Sequence, residues 1–149
     1  MRKAFLAVVA VIVVIVLNSC IKEYVTKETH IHQGAEISTY YVDVYPNQWN
    51  WTGEFGREGY YCFAEKNLAA ISSSVIESGA VLVYAIFGDY DHQLPYVVPF
   101  HDSGFFVRTI RYDLQPGQIG FVVEDSDFRT PYPPFSNMVK FKVVVIAKK

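Results

Sequence analysis

Residues 105–125 read FFVRTIRYDLQPGQIGFVVED, two alternating halves on either side of one turn. Successive side chains of a β-strand point to opposite faces of a sheet, so the alternation predicts two strands that each bury one face. In the turn Gln115-Pro116-Gly117, Pro116 presets φ and Gly117 accepts a positive φ. We therefore predict an antiparallel hairpin whose core-facing residues are Phe106, Ile110, Tyr112, Leu114, Ile119, Phe121 and Val123.

The same period of two occurs on both sides of this hairpin. Residues 38–45 and 139–145 alternate between apolar and polar side chains, which predicts two more half-buried strands. Residues 80–87 (AVLVYAIF) are apolar on both faces and predict a central strand that is covered on both sides. Two prolines in residues 94–100 (LPYVVPF) place that stretch at a sheet edge or a bend.

Helical signals are weak throughout the chain. Residues 67–78 (NLAAISSSVIES) predict a strand end followed by a single helical turn, which Gly79 stops. Altogether we expect seven to eight short strands and no helix of ordinary length. This pattern predicts an all-β domain, an antiparallel β-sandwich or jelly-roll-like fold.

The N-terminus has the pattern of an export signal. Arg2 and Lys3 precede fourteen apolar residues, Ala4 to Leu17, too few to cross a bilayer comfortably but typical of a signal peptide. The run ends in Leu17-Asn18-Ser19-Cys20, which resembles the lipobox of bacterial lipoproteins. The resemblance implies a signal peptide over residues 1–19 and acylation of Cys20, hence a stable membrane anchor. The alternative is an uncleaved N-terminal anchor helix.

The lipobox sets the expected domain organisation. We expect residues 20–36 to be the lipidated cysteine and a polar stalk, and residues 37–149 to be the β-sandwich domain. Lys22 and Glu23 directly after the cysteine resemble a weak surface-display signal. The predicted location is therefore the outer membrane, as a lipoprotein that is periplasmic or surface-exposed.

Charge and cysteine content exclude some partners. Removing residues 1–19 removes two basic and no acidic residues, so the net charge changes from −2 to −4. A mildly acidic chain without a Lys/Arg run argues against nucleic acid as a partner. With Cys20 acylated, Cys62 is the one remaining cysteine, so no internal disulfide can form.

Four segments carry a resemblance to a known family: GAVLVYAIF (79–87), LPYVV (94–98), YDLQPGQIGFVVED (112–125) and FKVVVI (141–146). Over most of residues 38–147 the chain resembles a family of small Bacteroidetes lipoproteins of uncharacterised function. Some longer relatives carry a collagen-like tract before this domain, which is absent here. The resemblance implies a β-rich surface or periplasmic module and supplies no catalytic residues.

Aromatic residues near loops suggest a carbohydrate site. Trp49 and Trp51 flank Asn50 in a polar turn, where strand alternation would leave both rings on one side. Tyr90 lies in a second loop. The three rings could stack on sugar faces, and this hypothesis requires both Trp rings to be exposed and coplanar. Packing of the rings against the core is the alternative.

Acidic loops suggest a second kind of site. Asp89 and Asp91 lie in the predicted polar loop 88–93, and Asp125 and Asp127 in a long Pro-rich loop, 124–136. Carboxylates two apart could converge on Ca²⁺, which takes six to eight oxygen ligands. Solvated acidic loops are the alternative, and otherwise no cofactor is expected.

No pattern for catalysis is present. There is no Gly-x-Ser-x-Gly elbow and no phosphate-binding Gly-rich loop. Cys62 lies between Tyr61 and Phe63 in a predicted strand, where burial would raise the thiol pKa and lower its reactivity. We expect a lipid-anchored, non-enzymatic envelope module with a structural or protein-interaction role, which could self-associate through a flat aromatic face. The alternatives are a carbohydrate-binding surface module and a calcium-stabilised adhesin-like domain.

Overall fold

The computed structural model describes residues 25–32, 34–101 and 104–148, with the side chains of residues 25, 26 and 30–32 outside the description. This part of the chain contains ten strands, one short α-helix and one 3-10 turn. The strands are β1 Val25–His32, β2 Ala35–Val44, β3 Asn50–Thr52, β4 Tyr61–Asn67, β5 Ala80–Phe87, β6 Tyr90–Gln93, β7 Tyr96–Phe100, β8 Phe106–Gln115, β9 Gln118–Asp125 and β10 Val139–Lys148. The 3-10 turn is Pro46–Gln48, and helix α1 is Ser73–Ser78.

The strands form two five-stranded antiparallel sheets that pack face to face. Sheet A has the order β1-β2-β10-β5-β6, and sheet B has the order β3-β4-β9-β8-β7. The predicted all-β sandwich is therefore confirmed. The predicted 105–125 hairpin is β8 and β9, with Gln115 paired to Gln118 and Gly117 at φ +80°.

The core lies between the sheets and contains the side chains that the alternation assigned to it, except Phe106, which is half-buried and stacks on Phe100. The rings of Phe121 on β9 and Phe141 on β10 stack across it, with centroids 3.8 Å apart and planes 12° apart. Both side chains are fully buried. Around them lie the inward-facing residues of both sheets, including Val42, Val44, Cys62, Val83, Ile110, Ile119, Val123 and Val143.

The two ends of the sandwich differ in character. At one, the helix end, α1 contacts β5, β8 and β10, and the Gly117 turn is hydrogen-bonded to Leu68 and Ile71. At the other, the loop end, residues 45–49 join β2 to β3, β7 ends at Phe100 and β8 begins at Phe106, and residues 126–138 join β9 to β10. The turns 53–60 and 88–89 also lie at the loop end.

The structure corrects the predicted boundary between stalk and domain. Residues 25–32 form β1, which pairs along β2 from Val25–Val42 to His32–Ala35. This segment, expected to be part of a stalk, is therefore the edge strand of sheet A. Its polar sequence, VTKETHIH, is compatible with an edge position, where charged side chains protect an unpaired strand. The predicted signal peptide, residues 1–19, and Cys20 lie outside the described residues.

Other details differ from expectation. The strand count is ten, because β1, the three-residue β3 and β6 add to the predicted set. The predicted loop 88–93 contains β6, which pairs with the end of β5. Strand β5 is not covered on both faces, since Leu82 and Tyr84 are half-buried on the outer face of sheet A. The helical turn before Gly79 is present as α1, with Ser72 as its N-cap, and β7 lies at the edge of sheet B.

Candidate functional site

The two tryptophans do not form a common platform. Trp49 is 1% exposed and packs against Phe135, with ring centroids 5.6 Å apart. Trp51 is 53% exposed and packs against Tyr132. The expectation of two exposed, coplanar rings is wrong for Trp49. Trp49 is extended and Trp51 pairs with core-facing Cys62, so the alternation does place both rings on one side. They differ in exposure because Trp49 packs against Phe135 in the core, whereas Trp51 lies on the edge strand β3 near the loop end.

Tyr90 is well exposed, but it lies in a different sheet from Trp51. It begins β6 at the edge of sheet A and is 73% exposed, whereas Trp51 lies on β3 at the edge of sheet B. Its nearest aromatic neighbour in the described chain is His92, with ring centroids 6.5 Å apart. Because Trp49 is buried, the three predicted sugar-stacking residues do not form one exposed platform.

The four candidate calcium ligands lie on two sheets. Asp91 on β6 is ion-paired with Lys142, and Asp89 lies in the turn before it. Asp125 ends β9 in a bidentate pair with Arg108, and Asp127 accepts a hydrogen bond from the backbone N–H of Arg129. Among the described residues, no group of three or more His, Cys, Asp and Glu side chains is placed to hold a metal ion.

Cys62 is a buried thiol on the core side of β4. It is fully buried, and its Sγ lies 3.5 Å from the carbonyl oxygen of Pro131, to which it donates. Burial is the main cause that raises the pKa of Cys62 to about 11, and nearby Asp125 adds to it, whereas the Tyr60 hydroxyl and Arg108 oppose it. A thiol of this kind stays protonated at neutral pH and is a poor nucleophile.

A groove on the outer face of sheet B has the composition of a binding site. Because Cys62 and Ala64 point into the core, Tyr61, Phe63 and Glu65 project outward from β4. Neighbouring β9 and β8 add outward side chains in register. The groove encloses about 320 Å³ and is lined by Thr52, Tyr61, Phe63, Glu65, Asp113, Gln115, Gln118, Gly120 and Val122.

One part of the groove is aromatic. The rings of Tyr61 and Phe63 lie 6.2 Å apart with planes 63° apart, and Phe63 is paired with Val122 on β9. The Arg111 guanidinium lies 5.7 Å from the centroid of the Tyr61 ring. This part of the surface offers two half-buried rings to the apolar face of a ligand, whereas Val122 is itself buried.

The other part of the groove is polar. Gln115 and Gln118 are opposite each other in the register of β8 and β9, and Glu65 and Asp113 lie on either side of Gly120. The Arg111 Nη1 donates to both oxygens of Asp113, at 2.7 and 2.8 Å. Amides and carboxylates together supply both donors and acceptors, which suits a ligand rich in hydroxyl groups.

Gly120 accounts for the depth of the groove. A Cβ built at this position would meet its nearest neighbours, atoms of Asp113, at 3.9 Å, which is ordinary contact distance. The backbone therefore does not require glycine here. The missing side chain leaves an open hollow between Glu65 and Asp113.

Sequence reasoning did not identify this groove. Its residues come from β3, β4, β8 and β9, and Thr52 is separated from Gln118 by more than sixty positions. A local signal did exist in YYCFAEK, residues 60–66. Small Cys62 and Ala64 alternate with Tyr61, Phe63 and Glu65, a pattern that predicts large side chains on the outer face.

The fold and the groove define an all-β, two-sheet sandwich with a mixed aromatic and polar surface groove. No family model, curated protein or solved structure matches this chain. The resemblance to a lipoprotein family therefore stays a prediction from the sequence. In the described part of the chain, neither α1 nor the 3-10 turn is long and apolar enough to cross a membrane.

Proposed function

We propose that this chain is a non-catalytic carbohydrate-binding module of the bacterial cell envelope. The groove on the outer face of sheet B is its binding surface. The observation that carries the proposal is the combination of Tyr61 and Phe63 with the hollow at Gly120 and the polar residues around it. A sugar ring has apolar C–H faces and a polar hydroxyl rim, and this groove offers complementary groups to both.

The dimensions of the groove favour binding of part of a saccharide chain over binding of a small ligand that is fully enclosed. A volume of about 320 Å³ is at the lower end of ligand-binding clefts, and the groove opens along the surface of a sheet. A saccharide chain can lie along such a surface with one or two residues in the hollow. The proposed ligand class is therefore a polysaccharide or glycan of the envelope or its surroundings.

The proposed anchor is the acylated Cys20, which would hold the module on the outer membrane, facing the periplasm or the outside. The support is the sequence of residues 1–20, in which a basic start, a short apolar run and Leu-Asn-Ser-Cys follow one another. Cys62 is fully buried and its pKa is raised, which makes this thiol a poor nucleophile and is consistent with a binding module without catalysis.

A glycan array probed with the full-length protein in detergent micelles tests the proposal. We expect binding to at least one polysaccharide class, and a loss of about tenfold or more in Tyr61→Ala and in Phe63→Ala, since one stacked ring contributes on the order of 1.4 kcal/mol. Trp51→Ala is the matched control, because it removes an exposed ring outside the groove. Retention of binding by Tyr61→Ala together with its loss in Trp51→Ala would reject the groove.

A second candidate function is self-association through the outer face of sheet A. Four aliphatic side chains, Ile37, Leu82, Val144 and Ile146, are half-buried neighbours on this face. Such a surface is suited to pack on a second copy and corresponds to the predicted homo-oligomer or structural role. The mass of the full-length protein in detergent, compared between wild type and Val144→Lys, tests it: an oligomer that becomes a monomer supports this candidate.

A further inference from the structure

Exposed hydrophobic side chains are concentrated at the loop end of the sandwich. Of the ten large hydrophobic side chains that are exposed in the described residues, eight lie at this end, and one, Ile76 on α1, lies at the helix end. Six of the eight are aromatic: Tyr45, Trp51, Phe55, Tyr90, Phe105 and Tyr132, with exposures from 40% to 90%. Scattered exposed hydrophobics are ordinary, but a concentration on one end indicates an interaction surface.

The chain also enters the domain at the loop end. Val25, the first described residue, pairs with Val42, two residues from the end of β2 at Val44. Cys20 precedes Val25 by five residues, a reach of at most about 18 Å when fully extended. An anchor at Cys20, or in the apolar residues 4–17, therefore holds the loop end close to the lipid.

We propose that the loop end of the sandwich rests on the membrane, with its aromatic side chains in the lipid headgroup region. The inference rests on the membrane anchor that is part of the proposed function, and it adds an orientation for the domain. Tyr and Trp suit this environment, since their rings are apolar and their O–H and N–H groups can reach water or headgroups. The carbohydrate groove runs along the outer face of sheet B, from Thr52 and Tyr61 beside the loop end to Gln115 and Gln118 at the helix end, so its polar part lies away from the proposed contact.

The charges at the loop end do not favour electrostatic attraction to anionic lipids. Glu54 is ion-paired with Arg57, and Arg108 with Asp125, so much of the charge there is neutralised within the protein. Among the remaining charges of the turns 53–60 and 88–89 and the loop 126–138, Glu58, Asp89 and Asp127 are negative and Arg129 is positive, a net charge of −2 that anionic lipids would repel. The contact is therefore expected in vesicles of neutral phosphatidylcholine and is expected to be insensitive to salt.

Tryptophan quenching by brominated phosphatidylcholine tests the orientation. The full-length protein, isolated from membranes, is reconstituted into vesicles of this lipid. Fluorescence of Trp51 is expected to fall at least twofold relative to vesicles without bromine. Trp51→Phe, which keeps only the buried Trp49, supplies the baseline. Phe105→Trp in the Trp51→Phe background is a second reporter at the loop end and is also expected to be quenched.

Ile76→Trp in the Trp51→Phe background is the matched control at the helix end. It is expected to show only the baseline, because Ile76 is exposed at the end of the sandwich away from the proposed contact. Quenching of the Ile76→Trp reporter as strong as that of Trp51, or no quenching of Trp51 and Phe105→Trp, would overturn the proposal. The latter result would indicate a protein partner for the aromatic surface.

The same protein preparation allows the membrane anchor and glycan binding to be tested independently of the orientation. The intact mass reports whether Cys20 is acylated, and the glycan array reports whether the groove binds carbohydrate. An unacylated protein held by residues 4–17 that shows quenched Trp51 would contradict the lipid at Cys20 and support the orientation. An acylated protein with unquenched Trp51 would support the anchor and overturn the orientation.

Discussion

Arg108 donates two hydrogen bonds of 2.7 Å, from Nε and Nη2, to the two carboxylate oxygens of Asp125, which is 1% exposed. The pair joins β8 to β9 at the loop end. The backbone N–H of Asp125 also donates to the hydroxyl of buried Thr130, at 2.8 Å. A residue that the sequence suggested as a calcium ligand thus fixes the start of the 126–138 loop.

Asp125→Asn is expected to lower the free energy of unfolding by about 3–5 kcal/mol, because it leaves the Arg108 charge buried without its partner. Urea unfolding of the two proteins measures the difference. Asp113→Asn is the control, since the Arg111–Asp113 pair is similar in geometry but 35% and 60% exposed. It is expected to cost less than about 1 kcal/mol. Equal losses in the two variants would contradict the assigned role of burial.

Phe121→Ala is expected to cost about 3–5 kcal/mol, because it removes a fully buried ring that stacks on Phe141 between the sheets. Chemical denaturation measures the loss. Phe105→Ala, at a position 90% exposed, is the control and is expected to change stability by no more than about 0.5 kcal/mol. A small loss in Phe121→Ala would mean that the two sheets do not pack through this ring pair.

Cys62 is expected to make stability depend on pH at the alkaline end. The folded protein binds the thiol proton more tightly than the unfolded chain, because burial raises the pKa of Cys62 from 9.0 to about 11. The contribution of the Cys62 thiol to the free energy of unfolding is therefore fully present below pH 9. It is lost as the pH rises toward 11, where the loss reaches about 2 kcal/mol. Urea unfolding under reducing conditions at pH 8 to 11 measures it.

Cys62→Ala supplies the reference for this titration. The chain has eleven tyrosines that ionise in the same pH range, so the wild type alone cannot isolate one thiol. The difference in unfolding free energy between wild type and variant is expected to stay constant below pH 9 and to shrink above it. A difference independent of pH up to 11 would contradict a raised pKa for Cys62.

Much of the fold was predictable from alternation alone. Strands β2, β8, β9 and β10 bury the side chains that a period of two assigns to one face, since burial of that face stabilises the sheet. Strand β1 was missed because an edge strand tolerates a polar sequence that also reads as a linker. Strand β5 was predicted to be covered on both faces, because its sequence is apolar throughout. Its outer residues are instead half-buried without a covering layer.

The site was less predictable than the fold. Trp49 and Trp51 lie on one side of the chain, as alternation predicts, but Trp49 is in the core and Trp51 is at the exposed edge of sheet B, which a linear pattern does not show. The groove needs the register of four strands, and pairings such as Glu65–Gly120 and Gly120–Asp113 are not visible in a linear pattern. Local alternation could have identified Tyr61 and Phe63 as outward residues, but not the hollow beside them.

The most direct test of the account is the affinity of Gly120→Val for the polysaccharide that the wild type binds, measured by isothermal titration calorimetry. Valine suits a strand and its Cβ would meet only ordinary contacts, so the variant is expected to keep the melting temperature of the wild type while it fills the hollow. Thr39→Val, on the outer face of sheet A, is the control and is expected to bind normally. Gly120→Val is expected to lose at least tenfold in affinity, and unchanged affinity in that variant would contradict the assignment of the groove as the binding surface.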